Sequence, residues 1–238
     1  MDLHETILPL MESRTEFYRM LAKLYRWSLT EEDYEALDAE TFKALSQEDC
    51  GELMASGFND MYRFLRRRNT GTRQTLAVDY TKVFLGTATY EGLSAQPFAS
   101  LFTGAGGQLM GAERNAVNAI YRKHCVKLSE GIDLPEDHLA FELEFLSIIN
   151  ERAGAAMESG DLDGAIALLA TEKSFVEEHL LNWFGRFFNL ANKMLDTRFY
   201  KGVLKITKAY LADEPDTIAA LIESLAQAEA EMAAAEAK

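Results

Sequence analysis

Proline occurs only 4 times in 238 residues and cysteine only twice. Scarce proline leaves long helices uninterrupted. The cysteines, Cys50 and Cys125, form no metal-binding spacing, and nothing in the pattern demands a disulfide between them. The opening MDLHETILPL lacks the basic and apolar regions of a secretory leader. These features point to a reducing cytoplasm. Basic residues number 24 against 38 acidic ones, for a formal net charge of −14. A field of that sign repels phosphate backbones and anionic membranes, so nucleic acid is not the expected partner and a cationic one is favoured. No apolar run approaches the ~20 residues of a membrane-spanning helix. Alternating β-branched and aromatic stretches between turn pairs are nearly missing, so strands are not expected.

What is present is helical. With 48% hydrophobic and 26% charged residues, the chain is globular and long enough to bury a core without staples. RTEFYRMLAKLYRWSL places Phe17, Leu21, Leu24 and Leu29 near one stripe. LTEEDYEAL opens a short helix on Thr30, with acids in its first turn. DCGELMASGFNDMYRFLRRRN ends on Arg66, Arg67 and Arg68, where cations suit the helix C-terminus. Further helices are expected at about 72–85, 109–124 and 135–157, and at 161–194 with a break near His179. Two more are expected at about 197–211 and 215–237. The reading is one all-α domain over residues 1–238, a helical bundle whose residues 216–238 form a peripheral or frayed terminal helix.

One segment departs from this pattern. Residues 86–107, GTATYEGLSAQPFASLFTGAGG, hold five glycines and a proline, yet also Tyr90, Leu93, Phe98, Leu101 and Phe102. A loop this long and apolar is uncommon unless it is functional, although it can also plug the core between two halves of a bundle. The glycine-rich TGAGGQLMG could present amides to an anion at a helix start. It lacks the lysine of a Walker loop and the third glycine of a dinucleotide motif.

The second stretch of interest is DLPEDHLAFELEFL, residues 133–146. Advancing 100° per residue, Glu142, Phe145 and Ile149 fall on the stripe of His138, while Glu144 and Glu151 fall on the opposite face. Glu142 therefore points into the apolar arc, where a carboxylate needs a partner or stays protonated. His138 or an arginine from another helix could supply one. Pro135, Glu136 and Asp137 read as an ordinary helix start. A catalytic or metal role for Asp137, His138 and Glu142, in a helical metal-dependent enzyme or metal-binding protein, is the alternative reading. Against it, there is no Glu-x-x-His of a di-iron bundle and no His-Glu-x-x-His. His179 reads as a satisfied structural histidine. No serine or cysteine has a nucleophile's setting, and the pattern calls for no cofactor.

Taken together, PEDHLAFELEFL, LAVDYTKVFLG, QPFASLF, EEHLLNWFGRFFNLA and FYKGVLKITKAYLADE resemble the motifs of the TorD/DmsD/NarJ family of cytoplasmic chaperones. That family matures molybdenum-containing redox enzymes. The resemblance spans roughly residues 10–215. It implies an all-α protein without catalytic activity. Such a protein binds the twin-arginine signal peptide of a molybdopterin-containing oxidoreductase's catalytic subunit and delays export until the cofactor is inserted. Residue by residue, it implies peptide contacts at Tyr80 and Phe84, at Pro97, Phe98, Ser100, Leu101 and Phe102, and at Asp137 and His138. Glu142 joins them from the helical wheel. The family often carries a second proline or a bulky polar residue in the loop, where this chain has Gln96 and Ala99. Monomer and domain-swapped dimer are both compatible with so long a loop.

Overall fold

The computed structural model describes residues 3–104, 109–128 and 134–236. Among these the regular structure is helical, with two isolated β-bridges. A short π-helical turn, Leu3–Ile7, leads into α1 (Leu8–Arg26), which carries Pro9 in its first turn. Next come α2 (Glu31–Glu35) and α3 (Ala39–Leu45), followed by α4 (Glu52–Leu65) and α5 (Thr72–Val83). Thr30 caps α2, as its sequence foretold, and does so in a reciprocal capping box with Asp33. The second half holds α6 (Ala99–Thr103), α7 (Ala112–Lys123), α8 (Leu139–Glu158), α9 (Leu162–Phe175), α10 (Leu181–Met194) and α11 (Arg198–Glu236).

Two features of the C-terminal half bear on the breaks expected from the sequence. The break expected near His179 is a π-helical turn, Val176–Leu180, joining α9 to α10. The break expected at Pro215 does not occur. Instead α11 runs through it for 39 residues, about 58 Å at 1.5 Å per residue. Burial on both sides offsets the lost hydrogen bond: Leu211 belongs to one apolar cluster and Ile218, Leu221 and Leu225 to another. The segment 216–225 thus contributes core residues.

The larger cluster gathers aromatic rings from most of the helices and from the segments between them. Tyr25, Phe84, Phe187 and Tyr200 pack edge-to-face or tilted, with ring centroids 5.4–6.2 Å apart. The smaller cluster gathers Ile7, Met11, Ala153, Met157, Leu162, Leu169 and the second half of α11. A buried polar network lies between them. Arg14 donates to Asn150 Oδ1 (2.6 Å) and Glu172 Oε1 (2.6 Å), and it grips both oxygens of Glu214. Tyr18 also donates to Glu214. One guanidinium thus serves two carboxylates. Burial, only partly countered by Arg14, pushes Glu172 up to about 7.

Helix α4 packs along α11 at backbone distance. A Cβ on Gly202 would stand 2.6 Å from the Gly57 carbonyl oxygen, and one on Gly57 would stand 2.8 Å from that of Gly202. Both positions therefore require glycine. Cys50 and Cys125 are free thiols. No helix among the described residues is long and apolar enough to cross a membrane.

Candidate functional site

The expected loop is shorter than its sequence suggested. Non-helical chain runs from Gly86 to Phe98, and α6 then occupies Ala99–Thr103. Residues 105–108, the heart of the glycine-rich stretch, lie outside the described residues. Within the loop, Tyr90 and Leu93 pair through two backbone hydrogen bonds of 2.9 Å. Gln96 reaches back to the Leu85 carbonyl. Ala95, Pro97 and Phe98 turn inward, while Leu85, Tyr90 and Leu93 stay exposed.

The end of this loop is clasped to the start of α8. Leu139 N–H donates to the Pro97 carbonyl (2.8 Å), and Ala99 N–H donates to the Asp137 carbonyl (2.9 Å). Ser100 N–H donates to Asp137 Oδ2 (2.8 Å). The Phe98 ring meets the His138 ring edge-on at 4.8 Å. These bonds explain why α8 begins at Leu139 and not, as expected, at Pro135. The first amides of a helix have no partner within it. Here the Pro97 carbonyl takes the amide of Leu139, and His138 Nδ1 takes that of Ala140 (3.1 Å). Asp137 is committed to α6 and leaves the helix to its neighbour.

His138 is consequently a cap. Burial, with Arg26 adding repulsion, lowers its pKa to about 3, so the ring is neutral and its Nδ1 accepts. It offers no partner to Glu142. Neither oxygen of that fully buried carboxylate has a hydrogen-bond partner among the described residues, and Asp137 Oδ1 and Ser100 Oγ are also unpaired. The Trp183 indole N–H faces Glu142 without closing a hydrogen bond of normal geometry. Burial, reinforced by Asp137 and Glu113, pushes Glu142 well above the usual carboxylate range. That environment favours the protonated form of Glu142. Among the described residues no three His, Cys, Asp or Glu side chains are grouped to hold a metal ion. Asp137, His138 and Glu142 do not converge on one.

The other expected contact residues fall into two sets. Tyr80 and Phe84 are 2% exposed and belong to the aromatic core, where the Tyr80 hydroxyl donates to the Tyr25 carbonyl (2.9 Å). Pro97, Phe98 and Ser100 are buried in the clasp. Leu101 and Phe102 are half-buried, and Phe102 stacks on Trp183 at 5.8 Å. The site is thus a framework with a narrow accessible edge, not an open apolar face.

The glutamates outside the site are conventional. Glu136 pairs with Arg114, Glu144 with Arg26 and Glu151 with Arg19. His179 Nδ1 lies 2.7 Å from Glu113, in keeping with a satisfied structural histidine. Sequence reasoning named Leu93 only as part of the apolar loop and did not place Trp183, Leu85 or Leu93 at the site. The spacing of Trp183 on its apolar helix resembles that of any core residue. The outward turn of Leu85 and Leu93 depends on the loop's fold.

Comparison with known proteins places this chain in a family. Residues 47–189, more than half the chain, match the family described as nitrate reductase delta subunit. The chain is 27% identical over 209 residues to a protein named "Chaperone protein TorD" from Vibrio vulnificus strain YJ016, covering 86% of this chain and 94% of the relative. The TorD chaperone of Vibrio cholerae El Tor Inaba N16961 is 27% identical over 209 residues, covering 86% and 91%. That of Vibrio atlanticus strain LGP32 is 27% identical over 205 residues, covering 84% and 91%. The chain belongs to the nitrate reductase delta subunit family, the TorD/DmsD/NarJ group of redox-enzyme maturation chaperones, whose members are chaperones and not enzymes.

Proposed function

We propose that this protein is a cytoplasmic, system-specific chaperone for a molybdopterin-containing oxidoreductase. It binds the twin-arginine signal peptide of the catalytic subunit and delays export until the cofactor is inserted. The observation that carries this reading is the set of three buried carboxylate oxygens, on Asp137 and Glu142, that lack hydrogen-bond partners beside the half-buried Leu101 and Phe102. Buried acceptors without donors are rare and costly. A guanidinium carries five donors in a rigid fork and matches carboxylates better than any other side chain.

In this reading, a small displacement of α6 opens the edge at Leu101 and Phe102. One arginine of the peptide then reaches Asp137 and Glu142, and Glu142 gives up its proton. The apolar stretch of the peptide covers Leu101, Phe102 and the exposed loop leucines. Tyr80, Phe84, Pro97 and Phe98 shape the edge from beneath, and His138 fixes it to α8. Surface charge pairs contribute only ~0–1 kcal/mol each, whereas burying a large apolar side chain contributes ~1.5–3 kcal/mol. A micromolar complex needs about 8 kcal/mol. Apolar contact supplies most of that, and the arginines supply orientation and specificity.

The test is a calorimetric titration with a twin-arginine signal peptide and its twin-lysine counterpart at moderate salt. Micromolar binding is expected for the first, with at least tenfold weaker binding for the second. No binding of either peptide would contradict the assignment.

A further inference from the structure

Helix α7 is sunk less deeply in the molecule than the helix it covers. Of its 12 residues only Val117 and Tyr121 are buried, whereas α8 buries most of its length. The Tyr121 ring lies on Phe145 (centroids 4.9 Å apart) and near Phe175 (6.3 Å). Phe145 shares a stripe of α8 with His138 and Glu142, so α7 lies across that stripe. Glu113, in the first turn of α7, brings a further negative charge beside Glu142.

What holds α7 in place is largely polar. Arg114, Asn118 and Tyr121 stand on one face of the helix, four and then three residues apart, and all three reach Glu136. Arg114 grips both oxygens of the Glu136 carboxylate. Asn118 Nδ2 donates to Glu136 Oε1 (3.1 Å), and the Tyr121 hydroxyl donates to the Glu136 carbonyl (3.3 Å). Glu113 adds its contact with His179 (2.7 Å). At the other end, just past the helix, Arg152 donates to the His124 carbonyl (2.6 Å). Glu136 is the neighbour of Asp137. Helix α7 thus directs its donors to the acid at the rim, while Asp137 Oδ1 and both oxygens of Glu142 receive none among the described residues.

A segment with few buried apolar side chains and partly exposed polar ties opens at lower free energy than the core around it. The Arg114–Glu136 pair is 31% and 17% exposed, so water and salt weaken it. Helix α6 packs against α7, which lets the two move together. We propose that α7 is a latched cover over the buried acids of the clasp, with Glu136 as the catch and the His124 end as the pivot. The latch keeps the site closed until a ligand takes the acids beneath it. That this ligand is a signal peptide rests on the proposed function; the latch itself does not.

Two measurements test the cover. In the peptide-free protein, hydrogen exchange corrected for intrinsic rates should be about tenfold or more faster across 112–123 than across 139–158. Arg114→Ala should speed the exchange of 112–123 a further threefold or so and leave 139–158 unchanged. Asn118→Ala serves if that variant does not fold. With a twin-arginine signal peptide, stopped-flow association should be about threefold or more faster for Arg114→Ala than for wild type, because more molecules are open. Arg122→Ala is the control. It removes the same charge from the same helix at an exposed position with no ion pair among the described residues, and should change association much less. An equal gain in both variants would mean that net charge alone is responsible, and would overturn the proposal. So would unchanged association in Arg114→Ala, or exchange of 112–123 in step with 139–158 in wild type and variant alike. If neither protein binds the peptide, the signal-peptide reading fails and the exchange rates alone decide the latch.

Discussion

At His138 a ring nitrogen does what a serine or asparagine oxygen does at most helix starts. Its Nδ1 accepts the Ala140 N–H only while the ring is neutral, and burial holds it so down to about pH 3. Losing a cap costs about 1 kcal/mol. His138→Ala should therefore lower stability by about 1 kcal/mol or more, because packing against Phe98 is lost as well. His138→Asn should recover the capping part. Chemical denaturation at pH 7 measures both. Glu172 responds to pH in the opposite direction. Its folded pKa, about 7, lies above the ordinary 4.5. Its contribution is fully present below about pH 4.5 and is lost as pH rises through about 7. The destabilisation caused by Glu172→Gln should accordingly be largest near pH 4.5 and shrink toward neutrality. Denaturant midpoints of wild type and variant across that range check this, and a penalty that grows with pH would contradict it.

Among the elements, α8 and α11 carry the architecture. Helix α8 holds the clasp at its first turn and contributes to both apolar clusters along its length. Helix α11 joins the two apolar clusters and meets α4 where Gly57 and Gly202 touch backbone to backbone. Forcing a methyl into that contact should cost ~1–3 kcal/mol, so Gly202→Ala should lower the denaturation midpoint without altering peptide binding. Much of this framework was legible in the sequence. The apolar period marks the major helices, and the wheel that put Glu142 inside the apolar arc and Glu144 and Glu151 outside it agrees with their burial. Other features were not legible, for physical reasons. Pro215 reads as a helix end, but tertiary burial of Leu211 and Ile218 overrides local propensity. Pro135 and Glu136 read as a first turn, but the carbonyl that satisfies Leu139 comes from residue 97, which no local pattern reveals. The apolar loop announced itself by composition. Composition does not say that Phe98 turns inward while Leu93 turns out.

At the scale of the whole molecule, an acidic helical protein presents, at the clasp, a place where positive charge and apolar surface can be received together. The clasp holds Glu142 and one oxygen of Asp137 buried without hydrogen-bond partners among the described residues. The proposed function requires the clasp to be a receptor and not only a structural joint. The most direct measurement is the affinity of a twin-arginine peptide for wild type and for Glu142→Gln, with the melting temperature of each recorded alongside. Removing a buried acid that has no partner should leave the fold intact or slightly more stable. If Glu142 receives the guanidinium, affinity should fall about tenfold or more while the melting temperature holds or rises. Equal affinity for the two proteins would show that the buried acids serve the fold alone and that the peptide, if bound, is recognised elsewhere.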